Sequence, residues 1–164
     1  MRETSEAGSR VPNYLLCNND TMRKATRNVG QLYDDALASS GLRNTQFGIL
    51  VHIDEMEEPT MKELAAELVM DLSALGQSLK PLTRDGYVRL VPNLADGRSK
   101  RVTLTKIGQR KVAETMPLWS AAQRRLEAVF GEDRAALLRE AFAALSSADF
   151  SAAFRAPTDP KPTG

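Results

Sequence analysis

Between Leu72 and Arg101 the chain gathers side chains suited to recognition by hydrogen bond and charge. Turning residues 72–84 by about 100° each puts Leu72, Leu75, Leu79 and Leu82 on one face of a helix. Ser73, Gln77, Lys80 and Arg84 fall on the opposite face, with Ala74 beside them, and Ser78 is counted with this group. A glutamine amide can bond adenine on two atoms, and small residues can meet base edges or a thymine methyl. Lysine and arginine meet phosphate. A second basic group, Asp96, Gly97, Arg98, Ser99, Lys100 and Arg101, sits where two strands should meet. An arginine at the tip of such a ribbon suits a narrow minor groove, where negative potential is concentrated. The chemistry expected of these residues is therefore base and phosphate contact. Residues for catalysis are missing: there is no phosphate-binding glycine loop, no nucleophile elbow, and no histidine paired with Cys or Ser at a recognisable spacing. The expectation is no enzyme, no cofactor and no metal, since one histidine and one cysteine cannot build a metal sensor or a zinc cluster.

Those residues need a scaffold, and the flanking sequence predicts one. Thr60 with Glu63 three residues on reads as a capping box for a helix whose buried side is Met61, Leu64, Ala65 and Leu68. Asp71 caps the next helix, in which Pro81 should introduce a bend. Asp85-Gly86 turns the chain into strands over Tyr87–Val91 and Val102–Leu104, leaving 93–100 as a wing. Helix, turn, helix and ribbon in that order predict a winged helix-turn-helix.

Long apolar-striped helices bracket this core. From Asn13 to about Ser39, the residues Leu15, Leu16, Met22, Ala25, Val29, Leu32, Tyr33, Ala36 and Leu37 recur at helical spacing, and Gly41 ends the run. Thr45 reads as the N-cap of a helix carrying Phe47, Ile49, Leu50, Val51 and Ile53. Thr105 caps a helix predicted to reach Phe130, kinked at Pro117, with Ile107, Val112, Met116, Trp119, Ala122, Leu126 and Val129 on its apolar side. Gly131 breaks it, and a last helix follows over 133–147. The predicted organisation is a flexible arm over 1–12, an N-terminal dimerisation helix over 13–43 and the DNA-binding core over 44–108. C-terminal dimerisation helices over 109–150 and a disordered tail over 151–164 complete it. The fold class is thus mainly α with a small β-wing. Terminal helices with more apolar surface than a small core can cover imply a homodimer.

A chain of 164 residues is one domain by length, and 42% hydrophobic with 26% charged residues is ordinary for a globular protein. Net charge is only +1, but Lys80, Arg84, Arg89, Arg98, Lys100, Arg101, Lys106, Arg110 and Lys111 are opposed between residues 80 and 111 only by Asp85 and Asp96. Such a stripe supplies phosphate contacts from an otherwise neutral molecule. No apolar segment resembles a signal peptide or a membrane span, so a cytoplasmic protein without membrane association is expected.

KELAAELVMD, SLKPLTRDGYV and above all DGRSKRVTLTKIG resemble the multiple-antibiotic-resistance regulator (MarR) family of transcription factors. The family pattern D-x-R-x-x-R, a strand ending Leu-Thr, and a later Gly stand here as Asp96, Arg98, Arg101, Leu104, Thr105 and Gly108. The resemblance spans roughly residues 14 to 150. It implies a two-fold dimer on a pseudo-palindromic stretch of double-stranded DNA, with Arg98 in the minor groove held by Asp96. It also implies a repressor released by a small aromatic or phenolic ligand bound between the long helices and the core, near Asn18, Asn19, Arg23, Phe47, His52 and Trp119. The alternative it offers is an organic-hydroperoxide sensor using Cys17, with Tyr33 as an activating tyrosine; Asn44 stands where a second tyrosine would be needed.

Overall fold

The computed structural model describes residues 16–94, 96–97 and 99–157. The expected arm over 1–12, Leu15, and Arg98 at the wing tip lie outside them. Among these residues seven α-helices and two strands follow in order, with a 3-10 turn at Ala38–Ser40 after the first: α1 Asn18–Leu37, α2 Asn44–Glu55, α3 Met61–Glu67, α4 Leu72–Arg84, β1 Val88–Pro92, β2 Lys100–Leu104, α5 Lys106–Phe130, α6 Glu132–Ser146 and α7 Ala148–Arg155. The strands pair antiparallel with Val88 opposite Leu104 and Pro92 opposite Lys100. This is the mainly helical fold with a small wing. Among the described residues no helix is long and apolar enough to cross a membrane.

Local sequence explains most boundaries. Thr60 Oγ1 accepts from the Glu63 N–H (3.2 Å), while a Glu63 carboxylate oxygen accepts from the Thr60 N–H (2.8 Å), closing the capping box of α3. Those bonds, with Arg101 contributing least, hold the Glu63 carboxyl below its usual range. Asp71 accepts from the Ala74 N–H at 2.7 Å to start α4, and Thr105 from the Gly108 N–H at 3.1 Å to start α5. Both α4 and α5 continue through their prolines, Pro81 and Pro117, which therefore end neither helix.

Some expectations need correction. Helix α1 starts at Asn18, leaving Cys17 in the N-cap position and Leu16 outside. Thr45 is not the cap of α2, which begins one residue earlier, at Asn44. Asp34, one turn before the end of α1, accepts the Asn44 N–H through Oδ1 at 2.7 Å, and the Gln46 side chain accepts the Arg43 N–H at 2.9 Å. A carboxylate brought from another helix takes the place of a local hydroxyl, at the end where the helix dipole favours negative charge. Where disorder was expected from residue 151, α7 is helical to Arg155; Ser147 caps it and Phe150 stacks on Phe154 at 6.0 Å.

Leu37, Leu50, Ile53, Leu64, Leu75, Leu82, Val88 and Val102 are fully buried and join α1, α2, α3, α4 and the wing in one core. Gly108 is where α5 crosses the wing root. A Cβ there would land on the Tyr87 carbonyl, which accepts the Thr105 N–H at 2.9 Å. Outside this core, α1, α5 and α6 are joined by a polar chain. The Tyr33 hydroxyl donates to Gln123 Oε1 (2.6 Å), Gln123 Nε2 donates to Glu127 (2.9 Å), and Arg139 donates to the same Glu127 oxygen (2.9 Å). Burial first, then the Glu127 charge, raises the Tyr33 hydroxyl above its ordinary range.

Candidate nucleic-acid interface

Helix α4 presents two unlike faces. Leu75, Leu79 and Leu82 are buried against α3 and the wing, while Ser73, Gln77, Lys80 and Arg84 are exposed on the other side. Leu72 departs from the expected stripe: as the first helical residue it is 54% exposed. Ala74 is half-buried, and the Ser78 hydroxyl donates back to the Ala74 carbonyl at 3.0 Å, which ties it to its own helix. Arg84 pairs with Asp85 (2.8 Å), so that residue's charge is partly answered within the turn. The hydrogen bond from Arg84 is also the main reason the Asp85 carboxyl lies below its ordinary range.

The wing rises directly after α4. Its tip is closed by the Asn93 N–H donating to the Ser99 carbonyl (3.1 Å) and by Asn93 Nδ2 donating to Ser99 Oγ (2.9 Å). Asn93 is buried, and composition gave no sign of its role; the only cue is an Asn beside a proline where a strand must stop. Asp96 and Lys100 are exposed on the loop and at the start of β2. Arg98, the expected minor-groove residue, lies outside the described residues. Arg101 differs from its neighbours: its Nη1 donates to the Glu58 carbonyl at 2.7 Å and its Nε to Asn93 Oδ1 at 3.3 Å, so these donors face the protein. Within the basic stripe Lys111 is also turned inward, toward the Ser40 carbonyl (3.3 Å) and Glu114 (3.3 Å), over the Tyr87 ring. Arg89 bonds Thr103 across the strands at 2.9 Å. Lys80, Lys100, Lys106 and Arg110 remain exposed.

The residues expected around a ligand do not converge. Phe47 is a core side chain, and Trp119 packs against the same core. His52 lies 3.9 Å from Glu67, and Asn18, Asn19 and Arg23 are exposed near the start of α1. A hollow of about 510 Å³ between the α2–α3 region and α6 is lined by Met56, Ala66, Val69 and Ala143 among others, and one of about 300 Å³ by Asp34, Asp35 and Arg43; neither takes in those six residues. Cys17 is half-buried. Tyr33 is sixteen positions further along the same chain, roughly 24 Å at the helical rise, and its hydroxyl is bonded to Gln123. Within one protomer the two do not meet. Among the described residues no group of acidic, Cys and His side chains could hold a metal ion.

A capped two-helix reader followed at once by a two-stranded ribbon defines a winged helix-turn-helix protein. The MarR family model matches residues 40–99. The chain is 37% identical to the M. tuberculosis transcriptional regulator MosR, whose structure was solved with DNA, over 85% of this chain and 99% of that one, with a TM-score of 0.75. The fold is shared with a cysteine-to-serine variant of E. coli MarR bound to operator DNA (24% identity, 84% and 99% of the chains, TM-score 0.73). It is shared too with the repressor CouR on a DNA duplex (21%, 79% and 92%, TM-score 0.72). No curated protein matches the chain. This protein belongs to the MarR family of DNA-binding transcriptional regulators.

Proposed function

We propose that the protein is a non-catalytic, sequence-specific repressor that binds a pseudo-palindromic operator as a two-fold dimer and is released by a small aromatic or phenolic ligand. The observation that carries the DNA reading is the exposed Ser73, Gln77, Lys80 and Arg84 face of α4, held opposite a buried leucine face and followed directly by the wing. In this reading Gln77 reads a base, Ser73 and Ala74 make lesser contacts to base edges, and Lys80, Arg84 and Lys100 meet phosphate. Arg98 enters the minor groove. Dimerisation is supported by the apolar side chains that α1, α5, α6 and α7 leave exposed in a single chain.

Selection from random duplexes tests it. The wild type should enrich an inverted repeat with half-sites about one helical turn apart. Gln77→Ala should relax the preference at one base pair per half-site. Lys80→Ala should weaken all sequences alike and, with two copies lost per dimer, flatten the dependence of affinity on salt by about 1.8 in the logarithmic slope. An unchanged motif for Gln77→Ala would remove it from base readout, and failure of the wild type to enrich any motif would overturn the operator reading. Aromatic acids added to the bound complex should release it. If only a hydroperoxide does so, and Cys17→Ser is insensitive, the signal enters through the cysteine instead.

A further inference from the structure

We infer that Arg101 sets the position of the wing over α4 rather than contacting DNA itself, an inference that rests on the operator-binding reading above. Arg101 stands at the seam where β2 touches the turn between α2 and α3. Its backbone pairs with Thr60 as an isolated antiparallel bridge, and the next N–H, of Val102, donates to the Pro59 carbonyl at 2.8 Å. Its side chain closes the same seam from both directions. Nη1 reaches the Glu58 carbonyl across the turn, at 2.7 Å, and Nε reaches Asn93, whose amide in turn holds the wing loop shut through Ser99.

The turn it grips is strained. Glu57 and Glu58 sit at φ 50° and 67°, in the left-handed region that L side chains disfavour. Such a conformation persists only where the surroundings hold it. The bonds from Arg101 and Val102 are made to the two residues that follow Glu57. Two residues later the chain enters α3 through the Thr60–Glu63 capping box, and α3 packs on α4. The guanidinium therefore links the wing root, through one short turn, to the helix that supports the reading helix. A planar, forked donor suits this task, and an ammonium on a flexible stem cannot serve both acceptors in that geometry.

Amide exchange in the DNA-free protein and salt-dependent binding to the selected duplex, measured for Arg101→Ala, Arg101→Lys and Lys100→Ala, test the inference. Both Arg101 variants should speed exchange at Val102 by about tenfold or more without speeding it at Leu79. Both should bind the duplex about tenfold more weakly, with the salt slope of the wild type, because the cost is paid in ordering the wing. Lys100→Ala, which removes one contact from each half of the dimer, should instead lower the slope by about 1.8. A slope reduced by that amount in Arg101→Ala, with binding restored in Arg101→Lys, would mean a direct phosphate contact and overturn the inference, as would unchanged exchange at Val102. Should Arg101→Ala not fold, Arg101→Lys carries both measurements. If the wild type selects no duplex, the operator reading falls, and Val102 exchange alone decides whether Arg101 clips the wing.

Discussion

Around α2, α3, α4 and the wing, Leu50, Leu64, Leu75, Leu82 and Val102 are wholly buried, and nearly every helix start has a side-chain acceptor. Along the terminal helices the opposite holds. Leu32, Val129, Phe130, Leu137, Leu138, Phe142, Leu145, Phe150 and Phe154 are all exposed, Val129 by 83% and Phe154 by 80%. Ala135 is the one buried hydrophobic residue of α6, and among its own residues α7 has none. One region covers its apolar side chains within the chain, and the other leaves them open. Each large apolar side chain gains about 2 kcal/mol when fully covered, so a surface of this kind is a strong drive to associate. In the proposed dimer this difference divides the labour: the core reads, and the arms set how far apart two readers stand.

The largest effect should come from making the incomplete region hostile to a partner. Leu138, Phe142 and Leu145 recur at helical spacing on α6. Charging two of them, in Leu138→Glu with Phe142→Glu, should convert the protein to monomer in sedimentation and reduce operator affinity by about a hundredfold, while the folded core keeps its cooperative melt. A variant that stayed dimeric with full affinity would show that the arms associate through some other face, or not at all.

Breaking the joint between the regions should cost stability instead. Gly108 lies in α5 against the Tyr87 carbonyl, at the point where the C-terminal arm leaves the wing. Gly108→Ala forces the helix and the wing root apart and should destabilise by about 3 kcal/mol in denaturant unfolding. A loss below 1 kcal/mol, about the helix-propensity difference between the two residues and opposite to it in sign, would mean that the joint yields easily.

What was legible in the chain follows the same boundary. Thr60 with Glu63, Asp71 and Thr105 announced their helices because a cap and its acceptor lie within a few residues, and the leucines of α4 because burial on one face leaves a helical period. Thr45 misled for the same reason: its local pattern suits a cap, but Asp34 reaches α2 from another helix, which no local window contains. Arg101 and Lys100 are adjacent and alike in charge, yet one faces the protein and the other solvent, a distinction made by the strand alternation and by the carbonyl of Glu58 some forty residues away in sequence. Helix α7 was missed because a helix of eight residues has little periodicity to display, and only Ser147 and the Phe150–Phe154 spacing marked it.

The smallest effect concerns Val69, in the turn between α3 and α4. It lies two residues past the end of α3, just beyond the C-cap Leu68, at φ 52°, with the Met70 N–H donating to the Ala65 carbonyl (2.8 Å) and the Val69 N–H to the Ala66 carbonyl (3.1 Å). That pair of bonds is a Schellman ending, in which glycine is favoured and a β-branched residue is strained by about 1–2 kcal/mol. Val69 is 68% exposed, so little burial offsets the strain, although its side chain does line the hollow shared with Met56 and with Ala143 of α6. Val69→Gly should therefore raise stability by about 0.5–1 kcal/mol, the strain relieved less the added entropy of an unfolded glycine. If it instead lowers stability, the valine is retained for what it touches across that hollow. The reading core and the C-terminal arm would then be coupled at this turn as well as at Gly108, and the boundary between a finished region and an unfinished one would have to be drawn through α6 rather than before it.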